Sequence, residues 1–371
     1  MEKTVLEQYL NLADKKIEAE CCRLGKKIPY IAEDGVYKKD MRDVNLSWWT
    51  NGFWSGMLWQ LYKNTGKELY KTTAEHTETE LDRALENFEG LHHDVGFMWQ
   101  LTAVADYKMT GNPVARRRAL HAATLLAGRY NDAGQFIRAW NLDKTGWMII
   151  DCMMNLSLLF WAAEETGDPR YRQIAIHHAD TAQRVLIRED GSCNHIAVFD
   201  PESGEVLEKP EGQGYASGSS WARGQSWAVY GFALAYTHTG KKEYLETAKK
   251  AAHYFIANVA LTGYVSLVDF RAPEEPVMLD TTATACAICG LLEIADAVSE
   301  YEKKLYKDAA EKMVDALVEQ HCDWNPQSDG ILQHGTAAYH REEDTEVPII
   351  YGDYFLIEAL MRLAGKGFKV W

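Results

Sequence analysis

A short phrase recurs along this chain and limits what it can fold into. Thr65-Gly66 is followed by Tyr70 and Ala74, Thr166-Gly167 by Tyr171 and Ala175, and Thr239-Gly240 by Tyr244 and Ala248. Thr110-Gly111 with Ala115 and Ala119 is a degenerate copy, and Tyr306 with Ala310 repeats the second half alone. Residues four apart share one helical face. A Gly closing an apolar helical run is a stop signal, after which a Pro or a charged residue starts the next helix. The repeated unit is therefore a helical hairpin. The glycines are unevenly spaced, which argues against a solenoid of fixed period and leaves a stack of TPR-like repeats, whose period should hold at about 34 residues, as the alternative. Hairpins joined by long, variable loops predict a closed ring, and there is room for about twelve helices. The expected fold is an all-α toroid of six hairpins occupying residues 1–371 as one domain.

The ring is interrupted between the helices ending near Arg188 and beginning near Ser226. Cys193-Asn-His-Ile-Ala-Val-Phe-Asp-Pro alternates like a short strand, and Asp200-Pro-Glu-Ser-Gly204 reads as the turn of a β-hairpin. Gly212-Gln-Gly-Tyr-Ala-Ser-Gly-Ser-Ser-Trp-Ala-Arg-Gly-Gln-Ser-Trp227 follows as a Gly/Ser-rich loop. A disordered linker has no use for so many aromatic side chains, and long loops in compact domains usually build sites.

The formal net charge of −15 disfavours nucleic acid and anionic lipid as partners. The most apolar run, Met148 to Ala163, is broken by Asp151 and Asn155, so no membrane span is expected. The first residues show no basic segment leading into an apolar one, which argues against export. Seven cysteines, an odd number without a framework, read as reduced cytoplasmic thiols. Cys286-x-x-Cys289 lies in an Ala-rich helical run and is expected to be packing rather than a redox or metal pair.

Two carboxylates stand out. Asp94 follows His92-His93 at the head of an apolar helix, and a helical turn would place Asp151 on one face with Trp147, Ile150 and Met154. A carboxylate on an apolar face is costly unless paired or functional, and desolvation favours its protonated form, as a general acid requires. Either residue could instead cap a helix N-terminus. Trp48, Trp140, Trp221 and Trp227, with Gln213 and Arg223, make a set suited to sugars, whose apolar ring faces stack on indoles while polar groups bond hydroxyls. His92-His93-Asp94 and His177-His178-x-Asp180 suggest a metal, but adjacent histidines on a helix diverge by about 100°, so no metal and no cofactor is expected.

His92-His93-Asp94-Val-Gly-Phe, Gly146-Trp147-Met-Ile-Ile-Asp151-Cys-Met-Met-Asn155, His195, the loop from Gly212 to Trp227 and Tyr351-Gly-Asp-Tyr-Phe-Leu-Ile-Glu-Ala-Leu360 together resemble the unsaturated glucuronyl hydrolases, glycoside hydrolases with an (α/α)6 barrel. The resemblance spans nearly the whole chain. It implies a substrate class, oligosaccharides ending in a 4,5-unsaturated uronic acid, and hydration of the vinyl ether rather than attack at the anomeric carbon. It further implies that Asp151 protonates C4 and then acts as base toward water, that Asp94 holds ring hydroxyls and tunes Asp151, and that Trp48, His93, Trp140, His195, Gln213, Arg223 and Trp227 line the pocket. A chain of this net charge must offer an anionic substrate a local cation, and Arg223 among aromatics is the expected one. Family members favouring sulfated substrates have a Ser-x-x-Ser-x-Lys pattern near the C-terminus; here Ala338 and Glu343 stand in that segment, with Arg341 between them. A preference for non-sulfated substrates follows. A sister activity on unsaturated rhamnogalacturonan fragments and a non-catalytic sugar-binding toroid are the alternatives.

Overall fold

Each glycine of the recurring phrase takes the left-handed conformation at a helix end: Gly66 (φ 70°), Gly111 (φ 75°), Gly167 (φ 71°) and Gly240 (φ 71°). The threonine before it does double service. Thr65, Thr110, Thr166 and Thr239 each donate Oγ1–H to the carbonyl four residues earlier and accept the backbone N–H two residues later. That pair of bonds closes one helix and opens the next within two residues.

The computed structural model describes residues 2–371. Twelve barrel helices follow in order: α1 (Lys3–Leu24), α2 (Phe53–Thr65), α3 (Glu68–Asn87), α4 (95–110, with a π-helical stretch at Gln100–Val104), α5 (Pro113–Ala127), α6 (Cys152–Thr166), α7 (Pro169–Leu186), α8 (Ala222–Thr239), α9 (Lys242–Val259), α10 (Thr281–Ala297), α11 (Glu300–Gln320) and α12 (Ile350–Leu363). The even-numbered helices form the inner ring. Each contacts the next, and α12 returns to α2, so the ring closes. Inner helices are buried almost all round, as in α10, where every residue from Thr281 to Ala295 is buried. Outer helices bury one stripe, as in α7 with Tyr171, Ala175, His178, Ala179, Ala182 and Leu186.

The repeated tyrosine has a second function in the outer ring. Tyr70 bonds to Asp14 of α1, Tyr171 to Thr124 of α5, Tyr244 to Asp180 of α7 and Tyr306 to His253 of α9. Each outer helix is thus tied to the outer helix before it. In the degenerate copy Ala115 cannot do this, and Arg118 of α5 pairs instead with Glu78 and Asp82 of α3.

Connections from inner to outer helix are two residues long in all five hairpins joined in chain order, whereas those from outer to inner are long and gather at the opposite rim. There the expected β-hairpin is present as β4 (Ile196–Phe199) and β5 (Val206–Glu208), following a smaller hairpin of β1 (Tyr130–Asn131) and β2 (Phe136–Ile137). One expectation fails here. Trp147 does not share a helical face with Asp151, because Trp147–Ile149 is a strand, β3, paired antiparallel with β4, and the helix begins only at Cys152. An aromatic and unbranched-to-branched run next to an available strand edge pairs there rather than winding. Cys286 and Cys289 are buried in α10, as their setting suggested. None of the described helices is long and apolar enough to cross a membrane.

Candidate active site

The heads of all six inner helices face the loop-bearing rim, and residues at or just before five of them line a cavity of about 380 Å³: Trp48 and Trp49 before α2, Asp94 before α4, Asp151 before α6, Trp221 and Arg223 at α8, and Tyr351 at α12. Helix N-termini carry partial positive charge, so their convergence creates an anion-favouring field inside a negatively charged protein.

Neither acidic residue is spent on its helix. Asp94 and Asp151 occupy N-cap positions of α4 and α6, yet neither side chain caps a backbone N–H. Asp94 is only 7% exposed. Its Oδ1 accepts from Asn155 Nδ2 at 3.1 Å, while Oδ2 lies 3.0 Å from His92 Nδ1 and 3.4 Å from His93 Nε2. Burial pushes the Asp94 carboxyl up, but the histidines and Asn155 outweigh it and hold it at about 2. Burial drives His93 down to about 4. His93 is neutral at pH 7, so there the carboxylate is supported by hydrogen bonding from His92 and Asn155 rather than by a charge on His93.

Asn155 locks the two helix heads together. Its Oδ1 accepts the Phe97 N–H of α4 at 2.6 Å while its Nδ2 holds Asp94. The approach requires Gly96, where a Cβ would lie 2.4 Å from Asn155 Cβ.

The Asp151 carboxylate is half-buried, with Oδ2 3.4 Å from His195 Nε2. The tautomer of His195 is fixed by its other nitrogen, since Nδ1 accepts the Gln213 N–H at 3.0 Å and Nε2 must therefore carry the proton toward Asp151. Gly212, at φ 65°, permits that contact, for a Cβ there would lie 2.0 Å from Nδ1. The His195 ring packs on Trp221 with centroids 4.5 Å apart.

Trp48, Trp140, His195, Gln213 and Arg223 all reach the pocket wall. Two expected residues do not. Trp227 is fully buried, packed between Phe97 and Phe355, and does not line the cavity. His93 lies behind Asp94, and it is His92 that faces the cavity. Arg223 also differs from the free cation expected of it. Its Nη1 pairs with Asp280 at 2.8 Å and with the Thr336 carbonyl, Nη2 takes the Ala337 carbonyl, and the guanidinium stacks over Trp221 at 4.5 Å. Its charge is neutralised within the protein, and its bonds hold the 336–337 segment as wall. Gln213 Nε2 is likewise committed to the Ala337 carbonyl, which leaves Oε1 for a ligand. The more open cation at the mouth is Arg341, whose side chain is 46% exposed and 3.2 Å from Asp344.

The sequence reading did not single out Tyr30, His92, Trp147, Asn155 and Tyr351 as site residues, and it named Arg341 only as a possible sulfate contact. Only Asn155 carried a usable signal, a lone amide in a run that is otherwise apolar. The metal argument also needs correcting in its geometry. His92 and His93 stand in a turn ahead of the helix, so they do not diverge, and one ligand atom from each of His92, His93 and Asp94 lies within 4.8 Å of the others. His177, His178 and Asp180, by contrast, serve separate partners in Tyr130, the Ile137 N–H and Tyr244.

A family model described as Glycosyl Hydrolase Family 88 matches residues 29–355. The chain is 39% identical over 350 residues to the unsaturated glucuronyl hydrolase of Bacillus sp. (strain GL1), covering 92% of each protein. It is 37% identical over 333 residues to the unsaturated chondroitin disaccharide hydrolase of Streptococcus pyogenes serotype M1, covering 87% of this chain and 82% of that protein. The crystal structure of an unsaturated glucuronyl hydrolase from Streptococcus agalactiae superposes with a TM-score of 0.93 at 33% identity, covering 100% of this chain and 94% of that one.

Proposed function

The chain belongs to glycosyl hydrolase family 88, and from that premise we propose that its pocket releases the 4,5-unsaturated glucuronic acid from the non-reducing end of oligosaccharides left by polysaccharide lyases, with Asp151 as general acid and base. One observation carries the reading. The Asp151 carboxylate heads a helix without capping it, opens on an aromatic pocket, and lies 3.4 Å from a histidine nitrogen whose protonation is fixed by the bond at the other ring nitrogen.

In its protonated form Asp151 delivers a proton to C4 of the C4=C5 bond, and positive charge develops at C5, shared with the ring oxygen. Water then adds at C5 and gives its proton to the Asp151 carboxylate, restoring the acid. The resulting hemiketal breaks its bond from C5 to the ring oxygen, leaving a ketone at C5 and a hemiacetal at C1 that expels the next sugar as an alcohol. The cycle uses one water and consumes no other reactant. No covalent nucleophile takes part, so the separation of two carboxylates does not decide stereochemistry here.

Asp94, held ionised, accepts hydrogen bonds from the sugar hydroxyls and fixes the ring against Asp151. His195 Nε2–H donates to the Asp151 carboxylate as it forms. The indoles of Trp48 and Trp140 supply flat faces for the rings. The five helix N-termini at the pocket favour the uronate carboxylate, a task that the paired Arg223 does not perform alone.

We also read residues 1–371 as one catalytic domain, acting in the cytoplasm on saccharides and not on nucleic acid. The seven cysteines, all thiols in this fold, and the net charge support that setting. The test is optical. Incubating unsaturated chondroitin disaccharide with the protein should abolish the absorbance of the conjugated double bond, and persistence of that absorbance together with sugar binding would identify a non-catalytic toroid.

A further inference from the structure

Arg129 follows α5 immediately after Gly128, and its guanidinium lies behind the pocket wall rather than on it. Arginine has five N–H groups, and here they meet five oxygens. Nε donates to the Arg138 carbonyl at 2.9 Å. Nη1 donates to the Leu91 carbonyl at 3.4 Å and to Asn141 Oδ1 at 2.9 Å. Nη2 donates to the carbonyls of Ala139 at 3.1 Å and Trp140 at 3.0 Å. None of these acceptors is a carboxylate. Burial lowers the guanidinium to about 10, with Arg138 adding in the same direction, so it stays charged at neutral pH. A partly buried cation with no carboxylate in contact is tolerable where fixed dipoles replace the water, and five oxygens do so here, with the Asp94 charge acting on it from farther off.

Those oxygens belong to two segments, both part of the active site. Leu91 immediately precedes His92, His93 and Asp94, and residues 138–141 carry Trp140. The same junction is laced three times more, by the His93 N–H to the Ala139 carbonyl at 3.2 Å and by Asn141 Nδ2 to the carbonyls of Glu89 at 3.1 Å and Leu91 at 3.0 Å. No acceptor of Arg129 lies in a barrel helix. A side chain serving the barrel would tie helix to helix, whereas this one ties wall to wall.

We propose that Arg129 is the positioning residue of the active site, a single guanidinium that sets the spacing between the His92–Asp94 turn and the Trp140 wall. The inference rests on the reading of Asp94, Asp151 and Trp140 given above. Lysine keeps the charge but offers three donors from one atom, which cannot span five acceptors on two segments.

The experiment compares Arg129→Lys, Arg129→Ala and Asn141→Ala with wild type, measuring kcat and KM separately on an unsaturated disaccharide alongside thermal unfolding. Displacement of reacting groups by about 1 Å lowers turnover by up to about 10²-fold. Arg129→Lys should therefore lose at least about tenfold in kcat with a smaller change in KM, while its folded fraction at the assay temperature stays unchanged. In Arg129→Ala, millimolar guanidinium should restore kcat saturably, and sodium chloride of equal ionic strength should not. Asn141→Ala should lower kcat less, and its effect should not add to that of Arg129→Lys, because both loosen one junction. Wild-type kcat in Arg129→Lys, or a loss in Arg129→Ala that tracks unfolding and ignores guanidinium, overturns the proposal. Asp94→Asn and Asp151→Asn run beside them: if both stay active, the reading of the site falls and the inference with it. If both are inactive while Arg129→Lys is normal, only the inference falls.

Discussion

Substituting Ala for Gly96 tests how the two acidic helix heads are held in register. The added Cβ would lie 2.4 Å from the Cβ and Oδ1 of Asn155 and 2.5 Å from its Cα. Carbon atoms settle at about 3.5 Å or more, so either α4 and α6 separate by about 1 Å or the Asn155 side chain leaves its place. Both movements break the bridge in which Asn155 takes the Phe97 N–H and holds Asp94. Overpacking costs about 1–3 kcal/mol, and two buried hydrogen bonds contribute about 1 kcal/mol each, giving a destabilisation of about 3–5 kcal/mol. A separation of about 1 Å also moves Asp94 relative to Asp151, which should lower kcat about 10²-fold. KM should change less, since the stacking faces of Trp48 and Trp140 come from other segments. The assay is loss of double-bond absorbance at varied substrate, paired with denaturant unfolding. Unchanged stability together with kcat within about threefold of wild type would refute the reasoning.

Asp151→Asn should fold and bind sugar while losing about 10²–10⁴ in kcat; retention of more than about a tenth of the activity would remove Asp151 from its role. Arg223→Ala should leave Asp280 buried without its partner, destabilising the protein by about 3–5 kcal/mol and raising KM as the 336–337 wall loosens; an unchanged unfolding midpoint and KM would contradict the bracing role. Non-sulfated unsaturated disaccharides should show higher kcat/KM than 6-sulfated ones, because Ala338 and Glu343 offer sulfate neither a donor nor a cation. A sulfated preference at low salt that vanishes at high salt would assign the contact to the exposed Arg341 instead. Stability should depend on pH through His93, His178 and Asp94. The histidines are pushed down to about 4 and about 3 by burial, so the unfolded chain binds the extra protons. The stability they supply is complete above about 6.5 and is lost as pH falls through their folded values. Asp94, held at about 2, adds a loss of the same sign below about 3.8. His93→Gln should flatten the slope between about pH 6.5 and 4 in urea titrations, and an unaltered slope would show that His93 is not the titrating group.

The ring was legible because its signals are local. A Thr-Gly pair closes a turn with its own neighbours, and Tyr four residues from Ala marks a buried stripe whatever lies across from it. The acidic residues were legible for a related reason, since a charge at the head of an apolar helix is anomalous within a few residues of sequence. What escaped was set by partners distant in sequence. Trp227 is buried beneath the pocket rather than on its wall, and no spacing reveals which turn of a wholly buried helix faces the cavity. Arg223 read as a free cation because Asp280 stands far along the chain. Asp151 reached its place through a strand, β3, whose partner lies across an entire hairpin, so its helix-like apolar neighbourhood pointed to the wrong geometry.

The unequal treatment of the two rims separates what this scaffold must keep from what it is free to change. At one rim four of the five two-residue connections are fixed by a left-handed glycine and a doubly bonded threonine, so even a single inserted residue there would unseat a helix pair. At the other, segments such as 128–151, 187–221 and 321–349 carry residues that line the cavity and can lengthen at little entropic expense. New specificity can therefore be written into one face of the molecule by insertion and deletion while the opposite face preserves the ring. An engineer grafting a subsite for a longer or differently charged saccharide would splice at those segments and leave every Thr-Gly untouched.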